Sequence, residues 1–220
     1  MLFCDYYKGD FTDLKLAVAE VASNSSLPIL YYHFPQVSGL FLKPQQIVAI
    51  LELDNVVGMK DSALNNYAAK KVLNAAKGTH YFTGLSLLMP KLADLGCVGS
   101  ICPLAVISPV LANELYHLSF GKNSAKLKIK QKQLTQLLPI ISNPSAPADL
   151  QFLVLSVISK LPVQILKTAL SPHAASKEAL RHLGLPICDV VRSPLPALSE
   201  GDSENIMACL TRAELKTSER

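Results

Sequence analysis

Short apolar segments alternate with segments of helical periodicity along the first half of the chain. This alternation constrains the fold more than any other feature. Four strand patterns and four helical patterns follow one another: strands at 28–35, 55–60, 79–83 and 97–102, and helices at 11–22, 43–53, 65–76 and 85–95. Strict alternation predicts βαβ units and therefore a parallel α/β sheet. The strands are nearly continuous apolar runs, as expected for strands covered on both faces.

The second half of the chain shows a different pattern, because the strand signal ends near Ser108. Helical patterns follow at 110–120, 125–138, 150–159, 175–183 and 200–215, with a proline-rich extended piece at 191–198. In the first half of the chain, Thr12 is the predicted N-cap of the helix at 11–22. Four parallel strands followed by helices fit either an open sheet or part of a closed barrel, which needs about 250 residues.

Composition and charge argue against several classes of function. The net charge of +4 is mild, and the lysine run at 122–132 contains no interleaved aromatic residue, so no nucleic-acid surface is expected. The uncharged stretch 95–113 is interrupted by glycines and prolines, so no membrane span is expected. Five cysteines without a CxxC pair indicate a reducing compartment. We therefore expect a cytoplasmic protein, or a mitochondrial one if an N-terminal segment precedes this sequence.

No cofactor or metal site is predicted from motifs. The sequence lacks GxGxxG, GxxxxGK[ST] and GxSxG, the patterns of dinucleotide, phosphate-loop and serine-hydrolase sites. The scattered histidines show no metal-ligand spacing: His80, His117, His173 and His182.

Polar or reactive residues stand at the carboxyl ends of three predicted strands, where parallel α/β folds bind ligands. These are Tyr32 with His33, Lys60, and Gly84 with Thr83. Lys60 ends an apolar strand, where desolvation would lower its pKa and favour the neutral amine that attacks a ketone. A tyrosine beside such a lysine could relay protons.

The residue pattern alone favours less specific interpretations. Lys60 would then be a strand-end lysine that reaches solvent, and Tyr32 a packing tyrosine. His33 points to the opposite face from Tyr32 and is expected to pack or to form a hydrogen bond rather than to catalyse.

Several motifs in order resemble the dihydrodipicolinate synthase and N-acetylneuraminate lyase family. The matching segments are LPILYYHFP at 27–35, NVVGMKDS at 55–62, FTG at 82–84, LGCVGSIC at 95–102, and the C-terminal pieces 177–185 and 191–195. The resemblance implies a (β/α)8 TIM barrel with a C-terminal helical extension. In that fold the chain resembles a partial barrel of about strands 5–8, with residues 1–107 carrying the catalytic lysine and 108–220 forming a barrel helix and the extension.

The resemblance also implies a class I, Schiff-base-forming aldolase or lyase, which reverses the pattern-only interpretation. Lys60 would form the imine with pyruvate or another 2-oxo acid, and Tyr32 would relay protons. Gly84 and Ile101 would line the pocket, and Tyr7 belongs to the tyrosine pair that often completes a neighbouring subunit's site. The family implies a homotetramer and an aldehyde as the second reaction partner.

Departures from the family pattern bear on the substrate. Val37 replaces the arginine of the synthases, Ser86 and Leu87 replace the acidic pair of sialic acid lyases, and Val106 replaces an asparagine. The segments 56–62 and 95–104 look closest to 4-hydroxy-2-oxoglutarate aldolase, so we expect a retro-aldol reaction that releases pyruvate. N-acetylneuraminate lyase and dihydrodipicolinate synthase activities stay open as alternatives.

Two further hypotheses concern the missing carboxylate-binding loop, Gly-Thr-Thr-Gly-Glu in the family, which is absent from this sequence. The chain could be a fragment or alternative-start form, in one version non-catalytic and paired with a full-length subunit. It could also be an open α/β module that binds 2-oxo acids without covalent capture.

Overall fold

A computed structural model describes residues 10–121, 123–142, 147–158 and 172–216. Its contacts divide the chain into two compact units. Of the described residues, the first unit contains 10–101 and 157–158, and the second contains 102–156 and 172–216. The predicted domain boundary after residue 107 stays a prediction.

The first unit alternates strands and helices as the sequence predicts. Its strands are β1 (Ile29–His33), β2 (Val56–Asp61), β3 (His80–Thr83) and β4 (Cys97–Ser100). Its helices are α1 (Phe11–Ser23), α2 (Pro35–Ser38), α3 (Pro44–Leu51), α4 (Asn66–Ala75) and α5 (Met89–Leu92), with 3-10 turns at Ser86–Leu88 and Ala93–Leu95. All neighbouring strands pair in parallel, in the order β1-β2-β3-β4.

The second unit is helical in its described residues. It contains α6 (Pro103–Ile107), α7 (Pro109–Ser119), α8 (Ser124–Thr135), α9 (Leu138–Ile141), most of α10 (Ala148–Ile158), α11 (His173–His182) and α12 (Asp202–Arg212). Helix α7 packs on α6 and α8, and α11 packs on α6, α9 and α12. Buried leucines and Ile206 form the core of this unit, among them Leu104, Leu115, Leu134 and Leu210.

Local signals explain where the elements of the first unit begin. Asp10, and not the predicted Thr12, is the N-cap of α1, since its carboxylate accepts the Thr12 N–H at 2.6 Å. Asn55 lies just before β2 with φ of 62°, a left-handed conformation that asparagine tolerates better than most residues. Its amide donates to the carbonyls of Ala22, Ser25 and Leu27, each at 3.0 Å. The side chain thus holds the α1–β1 connection against the start of β2.

One face of the sheet is covered and the other is partly open. Tyr31, Met59, Tyr81 and Cys97 are at most 1% exposed and form the covered face with the apolar sides of the helices. On the opposite face Leu30 is 37% exposed, and the residues near the strand ends are half-buried. The prediction of cover on both faces is therefore wrong for the described residues, because apolar runs do not distinguish the two cases.

Gly58 allows β2 and β3 to approach each other closely. A Cβ atom at this position would lie 2.2 Å from the carbonyl oxygen of His80. Any side chain there must push the two strands apart, two residues before Lys60.

We predict that Gly58→Ala lowers the free energy of unfolding by about 3 kcal/mol, the upper end of the usual cost of overpacking. Chemical denaturation followed by circular dichroism measures this change. Gly121→Ala is the matched control, since its Cβ would make only an ordinary contact, 3.6 Å from the Leu118 oxygen. Equal losses in the two variants would contradict the close-approach argument.

Candidate active site

A row of four residues crosses the sheet near its carboxyl edge. The strand register pairs Tyr32 with Lys60, Lys60 with Phe82, and Phe82 with Gly99. Register partners in a parallel sheet project to the same face. Lys60 therefore lies between two aromatic residues on the partly open face of the sheet.

Lys60 and Tyr32 are in direct contact. The Lys60 Nζ donates a hydrogen bond to the Tyr32 hydroxyl at 3.0 Å, and it also lies 4.1 Å from the centre of the Tyr32 ring. The Tyr32 ring in turn stacks on Phe34, with ring centres 5.5 Å apart. These contacts hold the tyrosine on the amine, so the two sequence-predicted catalytic side chains occupy one site.

The next row toward the carboxyl edge contains Ser62, Gly84 and Ile101. Their backbone N–H groups continue the ladder by donating to the carbonyls of the preceding strand ends, at 2.8, 2.6 and 3.0 Å respectively. A Cβ atom at Gly84 would lie 2.6 Å from the Ser62 Oγ, so Gly84 allows close approach of the two strand ends. Ile101 is 46% exposed. Tyr7, the remaining predicted site residue, lies outside the described residues.

A buried polar cluster lies on the covered face, directly behind Lys60. Asp61 is 6% exposed, and its carboxylate accepts the Tyr81 hydroxyl at 2.5 Å and the Ala63 N–H at 2.9 Å. His33 is 3% exposed, and its ring lies 6.2 Å from that of Tyr31. Sequence reasoning did not identify the roles of Asp61 and Tyr81; the alternation of polar residues within β1–β3 was the available signal.

Burial sets the protonation of this cluster. Burial, followed by the charge of Asp61, raises the pKa of Tyr31. Burial also raises the pKa of Tyr81 well above its usual value, and the charge of Asp61 and the hydrogen bond to it act in the same direction. For His33 burial lowers the pKa, although the nearby Asp61 carboxylate acts in the opposite direction. Both tyrosines and His33 are therefore neutral near pH 7, with Asp61 between them.

The second unit has its own buried carboxylate, Glu178 on α11. It accepts hydrogen bonds from Ser203 at 2.5 Å and from Arg181 at 2.6 Å, and His182 Nε2 lies 3.1 Å away. Burial acts to raise the pKa of Glu178, but these hydrogen bonds and the charges of Arg181 and His182 outweigh it, so the pKa is lowered. Ser203 belongs to α12, so the cluster joins α11 to α12.

A groove of about 530 Å³ runs along α12 beside His182 and Ser203. It contains no residue of the Lys60 row.

Among the described residues, no group of three or more histidine, cysteine, aspartate or glutamate side chains could hold a metal ion. Within the same part of the chain, no helix is long and apolar enough to cross a membrane.

Lys60 and Tyr32 thus meet at the carboxyl edge of a parallel α/β sheet, the edge at which such folds bind ligands. The model of the dihydrodipicolinate synthetase family matches residues 5–157. The chain belongs to the dihydrodipicolinate synthetase family.

Similar sequences agree with this assignment. The 4-hydroxy-tetrahydrodipicolinate synthase of Archaeoglobus fulgidus is 25% identical over 98% of this chain and 66% of the relative's own length. The enzyme of the same name from Mycobacterium leprae is 30% identical over 62% of this chain and 44% of its own length. The chain thus spans between two fifths and two thirds of these relatives.

Solved structures show the same fold. YagE, a prophage protein of the dihydrodipicolinic acid synthase family from E. coli K12, solved in complex with pyruvate, superposes with a TM-score of 0.77 at 19% identity. This match covers 98% of our chain and 65% of YagE. CdNal from Clostridium difficile, in complex with mannosamine, gives a TM-score of 0.74 at 15% identity, over 96% and 64% of the two chains. The parallel sheet and its helices therefore share the fold of these TIM-barrel neighbours, of which the chain covers about two thirds. The partial barrel of about strands 5–8 stays a prediction.

The buried, neutral His33 predicts a pH-dependent stability. Because its pKa is lower in the folded chain than the usual 6.5, the unfolded chain binds a proton at higher pH. The contribution of His33 to the free energy of unfolding is fully present above about pH 6.5. It is lost as the pH falls toward the pKa that His33 has in the folded chain. The loss reaches at most about 1.4 kcal/mol per pH unit.

We predict that His33→Asn flattens the fall in the free energy of unfolding between pH 7.5 and 5.0, measured by denaturation at each pH. His80→Asn is the control, because the His80 side chain is exposed. The same slope in wild type and His33→Asn would show that His33 does not bind the proton concerned.

Proposed function

We propose that Lys60 forms a Schiff base with pyruvate or another 2-oxo acid, and that the chain supplies the imine-forming part of a class I aldolase or lyase. The observation that carries this proposal is the hydrogen bond of 3.0 Å from Lys60 Nζ to the Tyr32 hydroxyl. Family membership supports it, and the structure of YagE in complex with pyruvate indicates the ligand to test first.

The chemistry begins with the neutral amine of Lys60. Its lone pair attacks the ketone carbon, a proton moves to the ketone oxygen, and loss of water leaves the imine. The Tyr32 hydroxyl lies at hydrogen-bond distance from the attacking nitrogen, so it is suited to deliver the proton that leaves with water. The protonated imine then serves as an electron sink.

Cleavage of a 4-hydroxy-2-oxo acid would follow from the same contacts. The hydroxyl at carbon 4 loses its proton, the bond between carbons 3 and 4 breaks, and its electron pair moves into the enamine on Lys60. An aldehyde leaves. Protonation of the enamine at carbon 3 and hydrolysis of the imine then release pyruvate and regenerate the amine, with Tyr32 as the proposed proton carrier.

We propose a 4-hydroxy-2-oxoglutarate-type substrate. Cleavage of N-acetylneuraminate and the dihydrodipicolinate synthase reaction are the alternative activities. In this proposal Gly84 and Ile101 line the site through backbone and apolar atoms, and Tyr7 contributes across a subunit interface. A homotetramer and a cytoplasmic location belong to the same proposal.

We predict that incubation with pyruvate and borohydride adds a reduced pyruvyl group to Lys60. Mass spectrometry would detect the modified peptide, in which trypsin no longer cleaves after residue 60. Lys60→Arg should abolish the adduct, whereas Lys71→Arg should not. Lys71 is a matched control because its Nζ also lies over a tyrosine ring, 4.4 Å from the centre of Tyr67. A folded wild-type chain without the adduct would refute the proposal.

We predict that Tyr32→Phe slows formation of the adduct by about a hundredfold, the lower range for loss of a proton-transfer group. The phenyl ring keeps the stacking on Phe34, so the change isolates the hydroxyl. A time course of borohydride trapping measures the rate. Tyr67→Phe should leave that rate unchanged. An equal effect of the two substitutions would contradict the role of the Tyr32 hydroxyl in adduct formation.

A further inference from the structure

Phe82 is the aromatic neighbour of Lys60 on the side away from Tyr32. The register of β2 and β3 places the two residues side by side, and the alternation of β3 puts Phe82 on the face of the amine. Phe82 is half-buried. Adjacent strands lie about 4.8 Å apart, so Phe82 and Lys60 are side-by-side neighbours on this face of the sheet.

Gly99 leaves space for the Phe82 ring. A Cβ atom at Gly99 would lie 3.1 Å from Cδ1 and 3.2 Å from Cε1 of Phe82, closer than side chains normally approach. Gly99 has no left-handed φ that would require glycine. The missing side chain at Gly99 therefore leaves room for the Phe82 ring above β4.

The two sides of Lys60 differ in chemistry. On the β1 side the Tyr32 hydroxyl bonds the amine, while on the β3 side the described neighbours in the row are a phenyl ring and a glycine. A 2-oxo acid bound as an imine has a carboxylate on one side of its reacting carbon and the apolar carbon 3 on the other. Because the β3 side of the row and carbon 3 are both apolar, we expect carbon 3 to lie on the β3 side.

We propose that Phe82 is a specificity-determining residue of the Lys60 site. Its ring packs against carbon 3 of the bound 2-oxo acid and restricts the site to acids that are unbranched at this carbon. This inference rests on the proposed function, since it needs the imine at Lys60.

Two substitutions should change the selectivity in opposite directions. Phe82→Ala removes the ring and opens space beside carbon 3, whereas Gly99→Ala pushes the ring toward Lys60. A methyl-sized change in an apolar pocket alters selectivity by about tenfold or more. Phe120→Ala and Gly121→Ala are matched controls in the second unit, where Phe120 is 50% exposed and Gly121 has room for a Cβ atom.

The experiment is borohydride trapping of the full chain with pyruvate and, separately, with 3-methyl-2-oxobutanoate, which is branched at carbon 3. Borohydride supplies the hydride that reduces the imine carbon, and solvent supplies the proton. We expect wild type to capture pyruvate preferentially. The branched-to-pyruvate adduct ratio should rise about tenfold in Phe82→Ala, fall in Gly99→Ala, and stay at the wild-type value in both controls.

The outcomes separate the two proposals. If pyruvate forms an adduct on Lys60 but the ratio stays unchanged in Phe82→Ala and Gly99→Ala, the role of Phe82 is refuted and the proposed function stands. If folded wild type forms no adduct with either acid, both proposals fail. Circular dichroism of each variant shows whether it is folded, and Phe82→Leu, which keeps an apolar side chain, gives an intermediate ratio if Phe82→Ala unfolds the chain. An unchanged ratio in folded Phe82→Leu would also refute the role.

Discussion

The parallel register of β1, β2 and β3 is the constraint on which the site depends. It sets Tyr32, Lys60 and Phe82 side by side, although these residues are far apart in sequence. A shift of one residue in β2 would turn Lys60 to the covered face and Asp61 to the open one. Gly58 and Gly84 maintain this register, because each allows a backbone approach that no larger residue would permit.

The two faces of β2 carry different kinds of side chain: Lys60 on the partly open face and the buried Asp61 on the covered face. Lys60 faces Tyr32 on one side, while its neighbour Asp61 is buried on the other, bonded to Tyr81 and to the Ala63 N–H. A buried carboxylate with such partners is costly to displace. We infer that this cluster fixes the end of β2, and that a fixed strand end positions the amine against Tyr32.

A second lysine–tyrosine contact in the same unit shows why the environment matters. Lys71 lies over the ring of Tyr67, one helical turn earlier on α4. That pair follows from helical spacing alone, and Tyr67 is 59% exposed. Lys60 and Tyr32 instead belong to different strands, and their contact exists only because the strands pair at the edge where parallel sheets bind ligands.

The sequence by itself determined the alternation of strands and helices, the parallel sheet, the strand-end positions of Lys60 and Tyr32, and the resemblance that the family model confirmed. Periodicity and motifs record these properties locally, so they can be read from neighbouring residues. Only the tertiary structure decided which face of the sheet is covered and that Asp10 rather than Thr12 caps α1. It also decided that Phe82 lies beside Lys60 with Gly99 beyond it, and that Asp61 is buried on the opposite face. These features depend on the register between strands and on what packs against each face, and neither is encoded within a single segment.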